Sequence, residues 1–216
     1  RSEDMEVDDL YATYSVLYNK IVDFEDIILV DYTGEGGIVA LADSITVNID
    51  GDDVTLPVRS VDANAFSRVG HEITALDMSS CKGLRPLTID RTMPDTPFFG
   101  LNEGAIVYLP AGKAQPADNV VLDGICSKLV LDDRYGFTPL YDFTAQQVVL
   151  NRTTTATNGW QALCLPFEMT AKMVEKWNGK LLEFAGAKKE NGTLTLFCNE
   201  SEAVPAVPAD APEFVQ

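Results

Sequence analysis

Ile73-Thr74-Ala75-Leu76-Asp77-Met78-Ser79-Ser80-Cys81-Lys82-Gly83-Leu84 is the stretch whose reading decides the fold. Its apolar residues fall at positions 1, 4, 6, 9 and 12 of LxxLxLxxCxxL. Leu76 and Met78 are two apart, so on an extended chain they share one face and point inward together. Cys81 stands where a small group must fill the inside of a turn, and Ile73 and Leu84 close the layer above and below it. Just upstream, Val58-Arg59-Ser60-Val61 and Ala63-Asn64-Ala65-Phe66 read as a strand and a short turn capped by a buried Phe66.

Working outward, the same β character continues. Ile38-Val39-Ala40-Leu41 and Ile45-to-Ile49 read as strands, and Asp50-Gly51 turns the second into Val54-to-Val58. Alternation around an Asp-Gly corner is a strong hairpin signal. Leu10-to-Leu17 fits a strand or a helix and is taken as strand; Ile27-Ile28-Leu29-Val30 is a strand. Gly34-Glu35-Gly36-Gly37 is a break, and it lacks the Lys and helix of a phosphate loop. Strands are also expected at Gly104-to-Gly112, ended by Pro-Ala-Gly, at Asn119-to-Cys126, Lys128-to-Asp133, Gln147-to-Asn151, Leu181-to-Phe184 and Thr193-to-Cys198, the last two joined by a Lys188-to-Gly192 turn. Thr170-to-Asn178 is the one expected helix, with Thr170 as N-cap and Gly179 as its stop.

Asn158-Gly159 opens Trp160-Gln161-Ala162-Leu163-Cys164-Leu165-Pro166-Phe167, an uncharged run that reads as a strand buried on both faces. Trp160, Cys164 and Phe167 are expected in the core with Phe66, Leu76, Met78 and Cys81. The four cysteines show no CxxC spacing and have a single His, His71, to join them. That pattern argues against zinc, and no metal or other cofactor is expected. One or two disulfides would be compatible, but cysteines in apolar runs are more commonly buried free thiols.

The chain carries 33 acidic and 16 basic residues, a net charge of −17. Such a balance argues against nucleic acid or an anionic membrane as partner. Residues 1–53 hold 14 Asp and Glu against Arg1 and Lys20. No apolar run approaches the roughly 18 residues of a membrane span. The start, Arg1-Ser2-Glu3-Asp4, suggests a trimmed or processed product, so a missing signal sequence carries no weight.

Hairpin, Pro-Val-x-Ser-Val, x-x-Ala-Phe and LxxLxLxxCxxL, in that order, resemble the BspA-like leucine-rich-repeat surface proteins of anaerobic bacteria. Phe143-Thr144-Ala145 followed by Trp160-x-x-Leu163-Cys164-Leu165-Pro166-Phe167 resembles the β-rich tail of related secreted proteins. The repeats present are fewer than the three or so a free-standing solenoid needs, so the resemblance implies a remnant or cap. The expected fold is mainly β: a short leucine-rich-repeat-like β layer followed by a β-sandwich-like tail domain with one α-helix. The expected domains are an N-terminal acidic β segment (1–33), the repeat-like region (34–110) and the tail (111–216).

The resemblance implies an extracellular or bacterial cell-surface location and adhesion or ligand recognition, with a host or extracellular protein or glycan as partner. No catalysis is expected. Tyr135, Phe137 and Tyr141, beside the Asp132-Asp133-Arg134 loop, are the candidate ligand-binding residues, because loops on rigid strands carry binding side chains. Three other readings are compatible with the residues. A sugar platform could use Tyr108, Trp160 and Trp177; a glycosidase could use the Asp132-Asp133 or Asp52-Asp53 pair; calcium could use Asn48, Asp50, Asp52 and Asp53. Core, turn and solvated turn are the expected outcomes for these groups.

Overall fold

A computed structural model describes residues 2–9, 12–19, 24–153, 162, 165, 169–176, 181–200 and 213–215. The protein is mainly β, with several sheets and one helix among the described residues. No helix among them is long and apolar enough to cross a membrane. The chain forms two compact units, Arg1–Thr153 with Val215–Gln216, and Thr154–Phe214.

The first unit begins with β1 (Ser2–Asp9), β2 (Ala12–Asn19) and β3 (Phe24–Tyr32), each antiparallel to the next. After β4 (Gly37–Ala40) comes the hairpin of β5 (Ser44–Ile49) and β6 (Asp52–Val61). Its corner residues Asp50 and Gly51 take φ of 54° and 95°. Positive φ at both positions matches a two-residue turn to the twist of the strands it joins, and Asp and Gly tolerate it.

Next come β7 (Ile73–Asp77), β8 (Ile106–Leu109) and β9 (Val120–Leu122), and β4, β7, β8 and β9 pair in parallel in that order. Parallel neighbours require the chain to cross back between strands. It does so on a second face, where β3 pairs parallel with β6, Arg85 N–H bonds Arg59 C=O, and Leu87 bridges Ala114. Each circuit therefore lays one residue set over the last. Val39, Leu76, Val107 and Val120 stand in register and are all buried.

Aromatic rings form a second column at the turn between the two faces. Tyr32, Phe66 and Phe98 come from successive circuits, with ring centroids 6.1 and 6.3 Å apart. Gly70 passes so close to the next circuit that a Cβ there would lie 2.9 Å from Gly100 O, which explains a glycine at that corner. Leu76, Met78, Cys81 and Leu84 are buried, and the Cys81 Sγ lies 3.5 Å from Ala42 O at the inner turn. The unit continues through β10 (Ile125–Cys126), β11 (Leu129–Asp132), β12 (Thr144–Ala145) and β13 (Gln147–Asn151), with β11 and β13 parallel.

In the second unit, α1 (Ala171–Lys176) starts at Thr170, whose Oγ1 accepts the Met173 N–H at 3.2 Å. A hairpin of β14 (Leu182–Glu190) and β15 (Thr193–Glu200) follows; the short strand β16 (Glu213–Val215) belongs to the sheet of β11 and β13. The hairpin corrects two expectations. Its turn is only Asn191-Gly192, at φ 49° and 80°, so both strands run longer than expected. Cys198 is an exposed free thiol rather than a buried one, because a two-stranded sheet buries neither of its faces by itself. Phe184, Leu194 and Leu196 are exposed on the same hairpin. Trp160, Cys164, Phe167 and Trp177 lie outside the described residues.

Burial pushes the thiols of Cys81 and Cys126 up to about 11, and only thiolates react. Alkylation of the native protein at neutral pH should therefore modify Cys198 and leave Cys81 and Cys126 untouched until denaturant is added. Mass mapping of the labelled peptides checks this, and native labelling of Cys81 would show that the inner turn opens.

Candidate recognition loop

Residues on β7 and β8 that do not face the core form a second, outward face. Ala75 and Asp77 on β7 neighbour Ile106 and Tyr108 on β8. Exposed apolar residues there would be costly, yet Ala75, Ile106 and Tyr108 are buried. The loop 133–143 provides the cover. Gly136 sits against the Thr74 methyl, 4.0 Å from where its Cβ would be, and the Leu140 N–H donates to the Tyr108 hydroxyl at 2.9 Å. Tyr141 and Phe143 meet the Tyr108 ring edge-on, with centroids 5.4 and 6.3 Å away. Tyr108 is thus core beneath the loop and presents no sugar platform.

Tyr141 is 54% exposed and still held. Its hydroxyl donates to Asp77 Oδ2 at 2.6 Å, while Asp77 Oδ1 accepts the Ser79 hydroxyl and amide at 2.6 and 2.9 Å. Partial burial alone would raise the Asp77 carboxyl, but the hydrogen bonds from Ser79 and Tyr141 outweigh it and hold the group below its ordinary value. The same bond to a carboxylate raises the Tyr141 phenol. The result is an exposed ring on a fixed, ionised anchor.

Tyr135 has a different setting on the same loop. Its hydroxyl donates to Glu103 Oε2 at 3.2 Å, and the Arg134 guanidinium lies 5.1 Å from its ring centroid. Gly104 leaves the space the ring occupies, since a Cβ there would lie 2.4 Å from the Tyr135 Cβ. Phe137, between the two tyrosines in sequence, is half-buried. The sequence pointed to the loop but not to Asp77, Ser79, Glu103 and Phe143, which fix its tyrosines.

The carboxylate pair Asp132 and Asp133 is divided between two cations. Asp132 takes Arg134 through both oxygens at 2.8 and 2.9 Å, and that pairing lowers its carboxyl to about 2. A carboxyl so held stays ionised and is a poor proton donor. Asp133 lies 3.6 Å from Arg152. At the β5–β6 corner, Asn48 donates to Asp53 at 2.8 Å and accepts the Gly51 N–H at 3.2 Å, which makes the acidic cluster a bonded turn. His71 is exposed, 3.4 Å from Glu72.

A cleft of about 310 Å³ is lined in part by Asp90, Arg91, Asp118 and Glu103, the residue that also holds Tyr135. The Arg91 guanidinium donates to Asn102, Glu103 and Ala105 carbonyls. Burial lowers the group to about 10. Arg91 here clasps the turn that leads into β8. No protein-family model matches the chain, and no curated protein or solved structure does.

Proposed function

We propose that this chain is a non-catalytic, secreted or cell-surface recognition protein that acts in adhesion or ligand capture, with loop 133–143 as its contact surface. The location and the class of partner, a host or extracellular protein or glycan, rest on the leucine-rich-repeat resemblance. The observation that carries the site is Tyr141. An aromatic ring more than half exposed, yet fixed by a hydroxyl–carboxylate bond and an edge contact, loses little freedom on binding and offers apolar area with a polar tip.

Glycan capture is the second reading, favoured by the ionised Asp77 beside the Tyr141 ring. Sugars bind through a stacked face and hydrogen bonds to their hydroxyls, and this pair supplies both. Glycan and extracellular-protein arrays probed with the full chain separate the two readings. Tyr141→Ala should lower the signal at least about tenfold, a loss of some 1.4 kcal/mol, without lowering thermal stability appreciably. Binding that falls only when the variant unfolds would remove the loop from consideration.

A further inference from the structure

In the six-stranded sheet β12-β10-β9-β8-β7-β4, strand β4 is an edge. Its Leu41 neighbour donates its N–H to Asp77 C=O on β7. In a parallel ladder the residues facing the partner alternate along the strand. Val39 therefore also faces β7, and the peptide groups of Ile38 and Ala40 point to the open edge. Natural edges are commonly guarded by Lys, Pro or a bulge that twists them away. Gly37-Ile38-Val39-Ala40 has neither a charge nor a proline; the register shifts between Gly37 and Ile38, where the extra residue, Thr74, lies on β7, and Ile38 is 55% exposed on the outward face.

The ends of this edge are acidic. Glu35 precedes it, and Glu72 packs against it at Gly36, where a Cβ would lie 2.3 Å from the Glu72 Cβ. At the far end stand Asp43, exposed, and Asp77, level with Ala40. Lys82, next to Cys81 at the same end, offsets one of them. Arg68 is engaged by Asp31, and His71 lies against Glu72. We propose that β4 takes an extended basic segment of a partner protein as an added strand, an apolar side chain over Ile38 and Lys or Arg residues at its two ends. The inference does not rest on the Tyr141 reading.

Charge decides against the simplest other occupant, a second copy. Antiparallel pairing of two β4 edges would set the Glu35 end of one against the Asp43 end of the other, and like charges facing across strands destabilise the pair. Each copy also carries a net −17. A basic strand instead meets opposite charge at both ends, and such complementarity speeds encounter and fixes register.

The test uses the full ¹⁵N-labelled chain and two capped peptides, Lys-Thr-Val-Thr-Val-Lys and its Glu-flanked twin. The Lys peptide should shift the Ile38 and Ala40 amides and slow their exchange, and added salt should weaken it. Glu35→Gln with Asp43→Asn should weaken it about threefold per charge removed. Ile38→Lys, at an exposed position that tolerates it, should abolish it. Tyr135→Ala, in the same loop but bonded to Glu103 rather than Asp77, should leave it intact, which separates this surface from the loop. Three results would each overturn the proposal: no Ile38 or Ala40 response to the Lys peptide, equal binding of the Glu twin, or edge pairing between copies in sedimentation without peptide.

Discussion

Phe66→Ala is expected to destabilise the first unit by about 3–5 kcal/mol, near the top of what one core truncation does. The ring is fully buried and stands between Tyr32 and Phe98, which belong to the preceding and following circuits of the chain. Removing it deletes its own transfer free energy and leaves a void walled by two aromatic rings. Those rings cannot collapse into the void easily. Tyr32 is tied through its hydroxyl to Glu35 O at 3.2 Å, and its amide bonds Ala65 O at 2.9 Å. The backbone around Phe98 is fixed by Asn64 N–H to Thr96 O at 3.1 Å.

Phe66→Leu keeps most of the apolar volume and should cost about half as much. Phe184→Ala on the exposed hairpin should fall within about 0.5 kcal/mol of the parent, as surface changes do. Urea-dependent hydrogen exchange at the Leu76 and Val107 amides reads the first unit by itself. A Phe66→Ala cost near that of Phe184→Ala would mean the aromatic column adds nothing to the stack.

The inner half of this stack was legible because its signals are local. Leu76, Met78, Cys81 and Leu84 lie within nine residues, and the period of an extended chain decides which of them share a face. The outward half was not. Tyr141 and Asp77 are 64 residues apart, so nothing local says that the loop returns to cover β7 and β8. Without that cover Tyr108 reads as an exposed platform, and with it the same residue is core. Asn191-Gly192 shows a signal that was present and under-used, since Asn-Gly marks a two-residue hairpin turn more sharply than the wider Lys188-to-Gly192 span. Cys198 misled for the opposite reason. Apolar neighbours in sequence predict burial only when another layer packs on the strand, and among the described residues β14 and β15 pair with each other alone.

Asn119 carries the second large expectation, and it tests how the stack is joined to β11. The residue is buried at 1% exposure and sits at φ 56°, just ahead of β9. Its Nδ2 donates to Glu103 O at 3.2 Å and Val130 O at 3.0 Å, and its Oδ1 accepts the Val130 N–H at 2.7 Å. One side chain thus satisfies both peptide groups of Val130 that point away from β13. Asn119→Ala should cost about 3–5 kcal/mol, from buried backbone groups left unpaired and a left-handed conformation Ala resists. Glu103 O loses less than Val130, because Arg91 also donates to it. Asn119→Gly removes the conformational part alone and should be milder than Ala by about 1 kcal/mol.

Asn119→Asp separates hydrogen bonding from shape. The introduced carboxylate can still accept the Val130 N–H, but its other oxygen faces the Glu103 and Val130 carbonyls and repels them. Its folded-state pKa must then lie above the ordinary value of about 3.9. The folded state binds that proton more tightly than the unfolded chain, so the variant loses stability as pH rises through this window and regains it as pH falls. Chemical denaturation of parent and N119D between about pH 4 and 7 should show a gap that narrows toward acid. A gap that stays constant would mean that Asn119 fills space without joining the two elements, and equal costs for the Ala and Gly variants would mean that the left-handed backbone at this position adds nothing to the cost.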